Sequence, residues 1–291
     1  MSSPVADRLA QEAQNILEKR IAENQLNLPP PPSVVMKAMA LLRDPGFTAK
    51  DAASLIERDA VVAARVLRAA NSVQHAGMER ARSLPQALTR LGIDRLRSVL
   101  VETSAHRLFD SRDQRIVDAT KGLWEHSLGV AILARDVAAL CGVEETEAAY
   151  LAGLLHDIGK PVVAWLLLEA EKSVVGTRTN VWIEPEVWVE VINRVHRPVG
   201  VLLAARWALP DSVTGAIQDC NEYNGAERLS VPNCVRFANA LTKREGLYVG
   251  KFDTSDIDAL VMIGRSLLGI DDQILSRLAS GLGDRVRMLM S

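Results

Sequence analysis

The chain has 291 residues, 48% hydrophobic and 24% charged, which is enough to bury a sizeable core and too apolar for extended disorder. A formal net charge of −2 gives no global attraction to phosphate backbones, so nucleic-acid binding would need a local cluster of Lys and Arg. Three scattered cysteines, Cys141, Cys220 and Cys234, form no C-x-x-C, which argues against a disulfide framework or zinc knuckle and predicts reduced thiols.

Residues 1–25 carry Asp7, Arg8 and Glu12 where an export signal needs an apolar run. No stretch is read as approaching the roughly 18 apolar residues of a membrane span, so a cytoplasmic protein without a membrane partner is expected. Leu9, Ile16, Leu17 and Ile21 give this segment the stripe of an amphipathic helix, over about residues 5–24. That helix must dock on its own domain or across a homodimer. The prolines at 29–32 cannot be helical and separate it from the main fold.

Ser33 can cap a helix to Leu42, ended by Asp44-Pro45-Gly46. Thr48 with Asp51 resembles a capping box and opens a helix to about Glu57. Asp59 caps the next helix, with Val62, Val66, Ala69 and Ala70 facing inward and Arg58, Arg65 and Arg68 facing solvent. These two short helices have the outline of a helix-turn-helix. The exposed face lacks Asn, Gln, Ser and Thr, so a solvated face is the better reading and a DNA-binding regulator the weakest. Ser83 introduces a helix stopped by Gly92, and Asp94 caps a longer one.

From Trp124 the elements lengthen. Residues 124–141 read as an amphipathic helix ended by Gly142, and residues 145–158 as another, closed by Gly159-Lys160-Pro161. A helix from Val162 to Glu171 follows, then a loop. Residues 185–206 are helical in period, with a kink or break expected at Pro198. Asp211 caps a helix to about Glu222, and two or three more helices complete the chain. Two helical lobes are expected, with a seam near residues 110–122. Trp124 and Trp207 read as core. Trp182 and Trp188, beside Glu184-Pro185-Glu186, are candidates for a partner-binding patch.

Of the five histidines, His126 shares a buried stripe with Val130, Leu133 and Val137. His156 and Asp157 are adjacent, and adjacent helical side chains diverge by roughly 100°. They can grip one cation only beyond the helix end or in a groove between helices. The competing reading is a polar cluster whose members satisfy one another without metal. His75 and His106 match no metal spacing and are assigned to surface or packing.

In order and spacing, Leu28-Pro29, Asp44-Pro45, Ala70-Asn71-Ser72 and Ala87-Leu88…Leu91-Gly92 resemble the HDOD family, the HD-related output domain of bacterial signalling proteins. Trp124-Glu125-His126-Ser127, Gly153 to Lys160 and His196-x-x-Val199-Gly200 continue the resemblance. It implies an all-α, multi-helical fold in which a helical lobe (about 26–115) packs on a degenerate HD-like bundle (about 116–245). Residues 246–291 would be a C-terminal helical extension. In working HD phosphohydrolases one His, a His-Asp pair and a later Asp hold a metal that activates water. The resemblance places His126, His156, Asp157 and Asn239 at those positions, with His196 as an orienting group or further ligand. Lys160 would stabilise a phosphate only in an active enzyme.

Two departures bear on activity. Asn239 stands where the family's catalytic relatives have the closing carboxylate, and a neutral amide oxygen is a weaker ligand. Asp219-Cys220 stands where a His pair is common, and no Gly-Tyr-Pro follows the central pair, so dinuclear phosphodiesterase chemistry is expected to be disabled. The resemblance therefore implies a non-enzymatic bacterial signal-transduction module acting through contacts with other signalling proteins. It is expected to be cofactor-free, with one divalent ion (Fe, Mn or Zn) as the other reading. The enzymatic alternative is a metal-dependent phosphohydrolase or phosphodiesterase acting on a nucleotide.

Overall fold

The computed structural model describes residues 4–290 apart from 24, 27, 29, 45, 73–78, 176–182, 220–221, 249 and 251. The described residues form fifteen helices and no strand: α1 (Pro4–Ala22), α2 (Ser33–Leu41), α3 (Ala49–Ile56), α4 (Ala60–Ala70), α5 (Leu84–Phe109), α6 (Gln114–Ala119), α7 (Leu123–Cys141), α8 (Thr146–Leu155), α9 (Gly159–Val175), α10 (Pro185–Arg206), α11 (Asp211–Asp219), α12 (Val231–Arg244), α13 (Thr254–Leu268), α14 (Asp272–Ala279) and α15 (Leu282–Met290). They fall into two compact units, Pro29–Arg107 and the rest, Met1–Leu28 with Leu108–Ser291. The division falls at Arg107/Leu108. Neither the N-terminal helix nor residues 246–291 stand apart from the HD-like bundle, because both belong to its unit.

The smaller unit follows its local signals. Thr48 and Asp51 form the expected capping box at α3, and Asp59 accepts from the Val61 and Val62 amides at the start of α4. Gly92, at φ 72° and ψ 174°, interrupts α5 where the sequence reads a helix stop. Val35, Ala38, Ile56, Val62, Val66, Ala87 and Leu100 build a core of mostly small apolar side chains. Asn71 has a precise duty there. Its amide exchanges two hydrogen bonds with the Ala81 backbone, at 3.0 and 2.8 Å, and Arg90 Nη1 donates to Asn71 Oδ1 at 3.3 Å and to the Ala70 carbonyl at 3.2 Å. Arg65, read as a solvent-facing residue, instead pairs with Glu102 at 3.8 Å and is only partly exposed. That removes one of the three arginines on which the DNA-binding reading rested.

In the larger unit, α7 packs on α8 and α12, α9 on α10, and α13 on α12. Helix α1 lies on α9 and α10, burying Ala13 and Leu17, so it docks on its own unit. Arg285 of α15 pairs with Asp136 of α7 at 2.6 Å. Two local expectations change. Gly159-Lys160-Pro161 opens α9 rather than closing the preceding helix. Helix α10 runs through Pro198 without a break. Pro198 is exposed, so water can serve the carbonyl that loses its partner, while Val195, His196, Val199 and Gly200 are buried around it and hold the helix together. The run Thr146–Ser173 is long and apolar enough to cross a membrane, contrary to the sequence reading, but 94% of its most apolar window is buried inside this unit. It is a core segment.

Candidate functional site

Three elements bring side chains together in the histidine–aspartate cluster. His126 lies in the first turn of α7, above Val130, Leu133 and Val137, which are all fully buried. His156 and Asp157 occupy the turn between α8 and α9, at the helix end where the sequence places a shared ion. His196 comes from α10, and Asn239 lies on α12, which packs on α7 and α8. The approach of α9 to α10 depends on Gly159, because a Cβ there would collide with the His196 carbonyl oxygen. Any larger residue would push the His156-Asp157 turn away from His196.

The cluster is buried. His126 is 0% exposed, His156 1%, Asp157 5%, His196 6% and Lys160 8%. Each of the three histidines donates its Nδ1 proton to a main-chain carbonyl at 2.8 Å: His126 to Leu247, His156 to Gly153 and His196 to Asn193. A carbonyl only accepts, so Nδ1 carries the proton and Nε2 is turned inward. All three Nε2 atoms are buried without a hydrogen-bond partner, and so is Asn239 Oδ1. Native interiors rarely leave such atoms unsatisfied, and three imidazole nitrogens gathered around one carboxylate ask for an explanation.

Asp157 provides the charge. Its Oδ2 accepts from Lys160 Nζ at 2.7 Å, and His156 and His196 hold Nε2 at 3.4 and 3.3 Å, ion-pair range without an aligned hydrogen bond. Burial opposes ionisation, but His156 first and then Lys160 outweigh it and hold the carboxyl well below its usual 3.8. Burial pushes His126 down to about 3, with the neighbouring His156 adding to the shift, so its imidazole is neutral at working pH. A neutral imidazole with its Nδ1 proton committed to a carbonyl is the form that ligates metals through Nε2.

His126, His156 and Asp157 each present a donor atom within 4.8 Å of the others. The residues therefore fit one divalent cation, held by imidazole nitrogens and a carboxylate oxygen, a donor set suited to Zn, Fe or Mn. His126 and His156 stand edge to face with ring centroids 5.4 Å apart.

Other sequence candidates fare differently. Trp188 is 3% exposed and sits under the Arg115 guanidinium at 5.5 Å from the ring centroid, so it packs internally and cannot be part of a surface patch. Trp182 lies outside the described residues, as does Cys220. Lys160 is committed to Asp157. Two features escaped the sequence reading. The Leu247 carbonyl and the Tyr248 ring both contact His126, and no side-chain pattern could have announced a main-chain acceptor. Glu171, fully buried, bonds Arg115 at 2.7 Å and the Ile183 amide at 2.6 Å, a centre assembled from residues far apart in sequence.

A buried histidine–aspartate cluster on an all-helical bundle is the mark of HD-like domains, and the comparisons specify which kind. The HDOD domain model matches residues 28–223, and the chain belongs to the HDOD domain family. Across 98% of its length it shares a fold, at a TM-score of 0.75 and 20% identity, with the whole of a structure described as a Putative metal-dependent phosphohydrolase from Shewanella amazonensis SB2B. An HDOD domain protein with unknown function from Geobacter sulfurreducens matches 96% of the chain and 98% of its own, at a TM-score of 0.63 and 23% identity. Among curated sequences, an uncharacterized protein from Treponema pallidum (strain Nichols) is 26% identical over 204 residues. That alignment takes in 69% of this chain and about two fifths (39%) of the relative's length.

Proposed function

We propose that this protein is a signal-transduction module that works through protein contacts in the cytoplasm, and that its HD-like site holds one divalent cation as a structural tie between α7, the α8–α9 turn and α12. The observation that carries this reading is burial. Metal-dependent phosphoryl chemistry needs an open coordination position for water and an approach for the phosphate. Here His126, His156, Asp157 and His196 are each no more than 6% exposed, and the adjacent Lys160, which could otherwise meet a phosphate, is bonded to Asp157. His126, His156 and Asp157 would hold the ion, with Asn239 Oδ1 the neutral donor on α12. The ion would supply charge neutralisation of Asp157 and satisfy the imidazole nitrogens.

The phosphohydrolase reading keeps one point in its favour, since the same donor set would polarise a bound water. The two readings separate in a single assay. Protein saturated with Mn²⁺, Fe²⁺ or Zn²⁺ is offered p-nitrophenyl phosphate, bis(p-nitrophenyl) phosphate and cyclic dinucleotides, with His156→Ala as the control. Ion binding without turnover above that control is the expected result. Turnover that His156→Ala abolishes would replace the module reading with the enzymatic one.

A further inference from the structure

Beyond the ligand set itself, two groups hold His126, and both come from the turn after α12. The Leu247 carbonyl accepts the His126 Nδ1 proton at 2.8 Å. The Tyr248 ring packs edge-on against the imidazole, with centroids 5.0 Å apart and planes at 69°. Tyr248 is itself placed by Lys243, whose Nζ lies 4.8 Å from its ring centroid, and by Phe252, whose ring centroid is 5.8 Å away.

The turn has a defined backbone. Gly246 sits at φ 80°, its amide donates to the Lys243 carbonyl at 3.0 Å, and the Leu247 amide donates to the Thr242 carbonyl at 3.1 Å. This is a left-handed helix end, and it aims the next carbonyl at His126. The matched family region ends at residue 223, so these contacts lie in a part of the chain that the match does not reach.

We infer that Leu247 and Tyr248 are positioning residues for the histidine site, fixing the tautomer and ring orientation of His126 so that Nε2 faces His156 and Asp157 as a ligand. A ligating histidine whose other nitrogen is tied to a carbonyl is held in the binding tautomer, and losing such outer partners typically costs about 10–100-fold in metal affinity. Linkage makes the coupling reciprocal: an occupied site favours the seated turn, from which α13 continues. The affinity consequence rests on the ion-binding reading above, but the tautomer consequence does not.

Two variants disturb the contacts by different routes. Tyr248→Ala removes the ring. In Gly246→Val a Cβ would meet nothing within 4 Å, so valine displaces the turn only through its aversion to φ 80°. Tyr248→Phe keeps the ring edge and should rescue. Two readouts apply to the full chain: Co²⁺ titration followed by visible absorption, and long-range ¹H–¹⁵N NMR of histidine-labelled, metal-free protein, with His126 assigned through His126→Gln. Wild type and Tyr248→Phe should bind Co²⁺ equally and show His126 with its proton on Nδ1 alone. Tyr248→Ala and Gly246→Val should bind about tenfold or more weakly and show mixed His126 tautomers. Unchanged affinity and an unchanged tautomer in both variants would overturn the positioning role while leaving the ion reading intact. If wild type binds no Co²⁺, the ion reading falls and the tautomer measurement alone decides the positioning role.

Discussion

Among the described residues, the larger unit buries two carboxylates, and they are treated in opposite ways. Glu171 is fully enclosed, yet both its oxygens are used, one by the Arg115 guanidinium and the other by the Ile183 amide. Asp157 has a counter-ion in Lys160, but the imidazoles of His156 and His196 approach it at 3.4 and 3.3 Å with inward nitrogens that make no aligned hydrogen bond. A satisfied polar centre ties helices together. An unsatisfied one leaves atoms that a ligand could meet, and it is where the proposed ion would sit. Burial and charge do not distinguish the two centres. The carboxylate's own bonds do: both Glu171 oxygens take aligned hydrogen bonds, whereas the imidazole nitrogens that face Asp157 make none.

The contrast can be broken most forcefully at Glu171. Glu171→Ala leaves the Ile183 amide without its acceptor and takes one of Arg115's two carboxylate partners, and should destabilise the protein by about 1–3 kcal/mol in urea unfolding, with or without chelator. His156→Ala should cost less under chelator, because it gives up one carbonyl hydrogen bond and an unaligned ion-pair contact with Asp157, and the gap should narrow when divalent ions are added. Equal losses for the two variants under chelator would erase the distinction.

A smaller effect comes from pH, and the two centres should pull in opposite directions. In the metal-free protein His126 has its pKa pushed down to about 3 from 6.5, so the unfolded chain takes up the proton first as the solution is acidified. Its contribution is complete above pH 6.5 and is lost progressively toward pH 3, amounting to about 2 kcal/mol at pH 5. Burial raises Glu171 above 4.5, so its contribution has the reverse sign and is lost as pH rises through the window above 4.5. Unfolding measured against pH in Glu171→Gln should therefore show a steeper acid loss just above pH 4.5 than in the wild type. A shallower loss there would mean that the signs assigned to the two centres are wrong.

These centres also differ in how far the sequence reveals them. His156 and Asp157 are neighbours in the chain, and the resemblance places His126, His196 and Asn239 with them; all five carry short local patterns. Helix starts at Thr48 and Asp59 were legible because a cap and the amide it serves lie within three residues. The Glu171 centre was not legible, since Arg115 and Glu171 are 56 positions apart and Ile183 contributes only its backbone. The contacts of Leu247 and Tyr248 were hidden for the same reason. Gly159 was misread because a glycine that ends a helix and one that admits a neighbouring backbone look alike until the neighbour, here His196, is placed. Trp188 was misread because an aromatic beside acidic residues suggests a surface, whereas Arg115 covers it.

The most direct test of the central claim is the metal content of the protein purified without chelator, measured beside His156→Ala and Glu171→Gln. An ion site made by the unpaired imidazoles predicts about one Fe, Mn or Zn per chain in the wild type and in Glu171→Gln, and almost none in His156→Ala. Wild-type protein that stays metal-free even after incubation with each ion, or metal retained undiminished in His156→Ala, would contradict it.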